Sequence, residues 1–339
     1  MLVYRGVHIS TQTGVFLGAF EIIVFLALAI TLIIAAGSNN TLSVFSPTTG
    51  NQHGWGSVFA GMVYTVLAFI GFEASLPLAE ETKDPRRTIP RAVILSCVLI
   101  GVFYLICYYA AMVYFGPNLA ADPTNGFFFF NGGDPWDGLA GKVWGPVSIL
   151  VLLAIVNSAF ANSSAGANAA SRVGFALGRV GILPRALAQI HPKYKTPYIA
   201  VHAQGALGIV LAIVLGFALK GPLNAFALLG TIATLIIVLI YILTNVSNLV
   251  FFVREQRAEL NIVWNVIVPI VGTLIFIPVL LAAFGIDFAD LGISALTAPA
   301  NAAPWVVLAW LGLGVILFIA LSVRSPGRIQ ETATTFIEG

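Results

Sequence analysis

The sequence predicts an all-α integral membrane protein with eight transmembrane helices, and three observations carry that expectation. Of its 339 residues, 59% are hydrophobic and only 9% charged, against about 25% charged in a soluble domain. Eight apolar runs lie near 14–37, 57–79, 90–115, 144–171, 199–219, 223–253, 263–285 and 304–323. Each approaches or exceeds the ~20 residues needed to cross a hydrocarbon core about 30 Å thick. With the N-terminus inside, fourteen of the sixteen Lys and Arg fall in cytoplasmic segments, leaving only Lys142 and Lys220 outside. Basic loops are retained on the cytoplasmic side during insertion, so both termini are expected there. The expectation is a multi-pass plasma-membrane protein, with one transmembrane domain over 1–325 and a cytoplasmic tail over 326–339.

The first run, 14–37, carries one acid, Glu21, and lacks the basic n-region and small-residue cleavage site of a signal peptide, so it is expected to stay in the membrane. A Gly, Ser and Asn-rich outer connection (38–56) leads to the second run, which contains Gly71, Glu73 and Pro77. Pro85 and Pro90 end one helix and set the start of the next. Cys97 and Cys107 lie ten residues apart in the third run, about 15 Å of helical rise, too far for a mutual disulfide. The connection 122–138 contains four consecutive phenylalanines, Phe127 to Phe130, between Gly and Pro; it is too short to span and reads as a loop dipping toward the interface. Trp55, Trp136, Trp144 and Trp305 fall near outer helix ends and read as headgroup anchors.

The fourth run places Asn157, Ser164 and Asn168 on one face and Ser158 and Asn162 in a second row. Both rows fit close helix packing, and both fit ion or substrate contact. Thr231 and Thr234 in the sixth run carry the same two readings.

Several functions are disfavoured. His8, His53, His191 and His202 show no metal-ligand spacing, and neither a phosphate loop nor an HExxH pair is present. The net charge of +2 follows from loop bias, so no nucleic-acid partner is implied. No nucleophile and base pair suggests an enzyme, and no cofactor is called for.

Glu73 is the informative position. An acid at membrane depth costs at least about 2.5 to 3.5 kcal/mol and is a functional candidate by default. Gly71 lowers helix propensity by roughly 1 kcal/mol and Pro77 lacks a backbone donor, so the helix is expected to break here. A break frees peptide groups that hydrocarbon will not solvate; they must meet protein, water or ligand, as at transporter binding sites.

The stretch "FIGFEASLPLAEETKDPRRTIPRA" (69–92) closely resembles a signature of the amino acid-polyamine-organocation (APC) transporter superfamily. That signature joins an F-x-G-F/V-E/D element of the sixth helix to a charged cytoplasmic loop. A second stretch, "NSSAGANAASRVGFALGRVGILPRALAQIHPKYKTPYIA" (162–200), is similar to the family's eighth helix, basic loop and entry to the ninth. The resemblance numbers the eight runs as helices five to twelve of a LeuT-like fold with two inverted five-helix repeats, the N-terminal four being missing.

The resemblance implies a permease moving amino acids or related amines by alternating access, coupled to a proton or sodium ion or exchanging substrates. It places substrate contact at Phe69, Ile70, Gly71, Phe72 and Glu73. Glu73, Glu21, Asn157, Ser158 and Asn162 are the candidates for ion or proton coupling, and Glu80, Glu81, Arg86 and Arg87 for a cytoplasmic gate. Glu21 departs from proton-coupled members that place a Lys near this position. Because the family's Gly-rich first helix has no counterpart, a transport-incompetent fragment or a non-transporting membrane subunit stands as the alternative. The substrate, the coupling ion and the oligomeric state are not legible.

Overall fold

The computed structural model describes residues 7–49, 54–73, 82–120, 122, 125–287 and 296–324, with the side chains at 7–13, 60 and 86 outside the description. No β-strand occurs among the described residues. The helices are α1 (Val7–Ala36), α2 (Trp55–Phe69), α3 (Pro85–Phe115), α4 (Pro135–Trp144), α5 (Ile149–Arg179), α6 (Tyr198–Ala218), α7 (Pro222–Arg254), α8 (Val268–Ala283) and α9 (Ala303–Arg324). Seven candidate spans are long and apolar enough to cross a membrane: one each in α1, α3, α6, α7 and α9, one over α4 with α5, and one over Ile262–Ala283 containing α8.

The run expected to span 57–79 differs. Its described helix, α2, has only 15 residues, roughly 22 Å of rise. The chain then leaves helical geometry at Ile70, and Pro77 lies outside the described residues.

The described contacts group into two compact units, one of residues 1–52, 71–209 and 321–339, the other of 53–70 and 210–320. In the first, α1 is the central helix. Val24, Leu28, Ala29 and Leu32 bury against Cys107, Ala110 and Ala111 of α3, Leu139 and Ala140 of α4, and Val151 and Ala154 of α5. Small residues at these contacts let backbones approach, which is what drives helix association where lipid is as apolar as leucine. Cys107 therefore packs inside the protein. Side-chain hydrogen bonds pin α1: Trp144 Nε1 donates to Thr31 Oγ1 at 3.1 Å, and Asn40 Nδ2 caps the C-terminus by donating to Ile33 O and Gly37 O, each at 2.9 Å. Tyr109 of α3 donates its hydroxyl to Asn40 Oδ1 at 3.2 Å.

Three expectations are corrected in this unit. The 122–138 connection is not all loop, because Pro135 and an Asp134 side chain accepting from Asp137 N start α4. The phenylalanine run is not uniformly at an interface: Phe127 is 3% exposed and Phe128 75%. Phe127 makes edge contacts with Phe115 and Trp136 at 5.7 Å, so aromatic packing holds it inside. Trp136 and Trp144 are likewise half-buried packing residues, Trp136 meeting Phe25 edge-on at 5.5 Å. Trp55 and Trp305 stay largely exposed.

Two helix ends also move. α3 begins at Pro85 rather than 90, since proline needs no donor in the first turn, and Asp84 supplies the carbonyl that accepts from Arg87 N and Thr88 N. α5 continues past 171 to Arg179, until Gly181 adopts a φ of +79°.

In the second unit α2 packs on α7 and α8 through Val63, Val238, Val279 and Ala282. Gly230 makes this approach feasible, because a Cβ there would lie 2.7 Å from Leu67 Cδ2. Thr231 and Thr234 are buried and donate to Ala227 O and Gly230 O one turn back. Their hydroxyls are thus satisfied within α7, which fits the packing reading. The contact at Gly230 fixes where α2 presents its C-terminal end. Gly230→Leu is expected to lower stability by about 1–3 kcal/mol through overpacking, and Leu67→Ala added to it should recover much of the loss, measured by thermal unfolding in detergent.

Candidate functional site

The end of α2 shows how the predicted break is built. Ile70 takes extended geometry (φ −61°, ψ 129°) and its N–H closes a tight turn to Leu67 O at 3.2 Å. Gly71 follows with φ +136°, a conformation that a residue with a Cβ adopts only under strain. Glu73 then turns back, and its Oε2 accepts from Gly71 N at 2.9 Å. A carboxylate thus satisfies a peptide donor that the helix can no longer engage, which the membrane interior demands.

The other carboxylate oxygen stands differently. Glu73 Oε1 is buried and has no hydrogen-bond partner among the described residues. Leaving a buried acceptor unsatisfied costs about 1–3 kcal/mol, and more if it is charged. Phe69, Ile70, Phe72 and Glu73 are half-buried and Gly71 is exposed, with open space where a Cβ would stand. This five-residue turn therefore offers a buried acceptor beside an irregular backbone, a site chemically suited to a donor such as an ammonium group or a proton.

A second polar cluster joins α1 and α5. Asn157 Nδ2 donates to Leu17 O at 2.9 Å. One helical turn along α1, the Glu21 carboxylate lies beside Ser158 of α5. Asn162 Nδ2 in turn donates to Ser158 Oγ at 3.4 Å. All four residues singled out for coupling beside Glu73 thus converge on one seam. The seam joins a carboxylate, a hydroxyl and two amides, groups able to hold a proton or a small cation. Farther along α5, Asn168 Oδ1 accepts from Arg172 Nε at 3.1 Å, a contact within the helix.

The expected gate is visible only in part. Glu80 and Glu81 lie outside the described residues, as does the Arg86 side chain; Arg87 is exposed in the first turn of α3. Among the described residues no group of three or more His, Cys, Asp or Glu has metal-binding geometry. Sequence reading missed the role of Leu17, since a backbone carbonyl carries no residue signal, and the Trp144–Thr31 tie, because an indole near a helix end reads equally as an anchor.

Comparison with known proteins supplies the context. The family model described as "Amino acid permease" matches residues 1–319. The branched-chain amino acid permease BcaP of Bacillus subtilis is 27% identical over 212 residues, 61% of this chain and 40% of its own length. The methylthioribose transporter of the same organism is 26% identical over 284 residues, 80% of this chain and 54% of its own. The D-serine/D-alanine/glycine transporter of Escherichia coli K12 is 26% identical over 221 residues, 62% of this chain and 43% of its own. The chain therefore spans about half the length of these curated relatives, and no solved structure matches. With the family model covering nearly its whole length, the chain belongs to the amino acid permeases of the APC superfamily.

Proposed function

We propose that this chain forms the helix-five-to-twelve part of a secondary carrier that moves amino acids or related amines across the plasma membrane by alternating access. The observation that carries the reading is the turn at Phe69–Glu73. Its glycine breaks the helix, its carboxylate binds the freed Gly71 N–H, and its second oxygen is buried and has no partner among the described residues. In this reading Glu73 Oε1 accepts from the substrate's ammonium or holds a coupling proton, with Phe69 and Phe72 flanking it.

The Glu21–Ser158–Asn162 seam with Asn157 is assigned to coupling, by proton or sodium ion, since it places the other membrane carboxylate within a polar chain. The short helix α2 with the residues that follow it supplies the eighth span, the spans take LeuT-like inverted-repeat topology, and both termini face the cytoplasm. Glu80, Glu81, Arg86 and Arg87 close the inner side. The relatives named above are transporters, which favours carriage over catalysis.

A second reading has its own support: a chain about half as long as its relatives fits a transport-incompetent piece or a non-transporting subunit. Uptake of radiolabelled amino acids by the intact gene product separates the two. Gradient-dependent uptake supports the carrier, and no uptake from a correctly inserted wild-type chain supports the second reading.

If the carrier reading holds, Glu73→Gln removes one charged acceptor worth about 1.5–3 kcal/mol, so uptake should fall roughly 10- to 100-fold with membrane insertion unchanged. Wild-type rates in that variant would remove Glu73 from the site. Gly71→Ala, forced into a backbone region disfavoured by about 1–3 kcal/mol, should impair uptake while Gly205→Ala, facing open space in α6, should not. Glu21→Gln should abolish the dependence of uptake on the driving ion or on pH while retaining substrate exchange; unaltered ion dependence would leave the seam a packing device.

A further inference from the structure

The connection between α5 and α6 has no part in the substrate turn or the polar seam, yet it is the most basic segment of the chain. Arg179 ends α5 at its start, Arg185, Lys193 and Lys195 lie within it, and no acidic residue occurs between Asp137 and Glu255. Arg179, Arg185, Lys193 and Lys195 are all exposed.

The connection does not extend away from the helices that bound it. Ile182 N and Leu183 N both donate to Leu177 O, at 3.0 and 3.1 Å. The helical turn Arg185–Ala188 folds back onto the end of α5 so tightly that a Cβ on Gly178 would stand 3.1 Å from Ala188 N and from Leu187 Cβ. Farther on, His191 N donates to Thr196 O at 2.8 Å and Lys195 N to His191 O at 2.9 Å, closing the turn that enters α6. The cations are thereby kept at the ends of two candidate spans, Pro135–Arg179 and Tyr198–Ala218.

Apolar and aromatic groups are interleaved with them. Ile190 is 51% exposed, the Arg179 guanidinium leans on the Phe175 ring at 5.9 Å, and Lys193 Nζ lies 5.4 Å from the Tyr194 ring centroid. Exposed cations, an exposed aliphatic side chain and tyrosine at a helix end match the layered chemistry of the headgroup region.

We propose that this folded connection is a binding surface for anionic phospholipid headgroups, with Arg179, Arg185 and Lys193 contacting phosphate and Ile190 seated among the upper acyl carbons. A lipid rather than a soluble anion is the occupant, because the cations sit where the chain leaves two membrane spans and because Ile190 has no use for a free phosphate. The proposal is independent of whether the chain transports.

The test is lipid retention by the whole purified chain, counted by native mass spectrometry after exchange into phosphatidylglycerol or phosphatidylcholine. The wild type should retain phosphatidylglycerol selectively, and raised salt should weaken that retention. Arg185→Gln with Lys193→Gln should reduce affinity about five-fold per charge removed, whereas Arg185→Lys with Lys193→Arg should preserve it. Equal retention of the two lipids by the wild type would overturn the proposal, as would displacement of phosphatidylglycerol by millimolar inorganic phosphate. The salt series on the wild type keeps the idea falsifiable if the double variant does not fold.

Discussion

The constraint on which the structure rests is that hydrocarbon satisfies no backbone hydrogen bond. At several helix ends among the described residues, a side chain or a reversed turn takes up the freed groups. Asn40 does so behind α1, the Asp84 carbonyl ahead of α3, and Asn261 before α8, where its Oδ1 accepts from Val263 N and Trp264 N. At Gly71 the same service falls to Glu73, and there the capping group is a carboxylate with one oxygen left over. Asp134 also caps a helix with a carboxylate, but among the described residues only the carboxylate of Glu73 has a buried oxygen without a hydrogen-bond partner, which sets this cap apart.

The turn is held from two directions in the covalent chain. Upstream, α2 is locked by the Val63 cluster and by Leu67 over Gly230. Downstream, the Glu73–Gly71 bond closes a three-residue loop that fixes the carboxylate relative to its own backbone.

Much of this was legible in the residues. Gly71 and Glu73 each oppose a continuous apolar helix, one through backbone freedom and the other through charge, and their coincidence marked the break. Glu21 was legible for the same reason. Its surroundings were less so: Ser158 and Asn162 are small polar groups that serve packing and ion contact alike, and only the pairing of α1 with α5 brings Ser158, which Asn162 contacts, beside the carboxylate. The helix Pro135–Trp144 was hidden by its own composition, since Pro135, Gly138 and Gly141 read as loop until Asp134 is seen capping it. The tryptophans failed as a signal for a related reason, because an indole suits both a headgroup layer and an aromatic core. Resemblance to the family named the helix numbers, but the hydrogen bonds at the turn come from the geometry alone.

Water accessibility of the turn tests the central claim most directly. In a chain with Cys97 and Cys107 replaced, single cysteines at 66 through 73 would be probed in intact membranes with a charged thiol reagent. Labelling at 71 to 73, with little at 66 to 68, is the result expected of a helix that ends at Phe69 and gives way to a hydrated turn. Uniform protection across 66 to 73, or the repeating pattern of one continuous helix face, would contradict it.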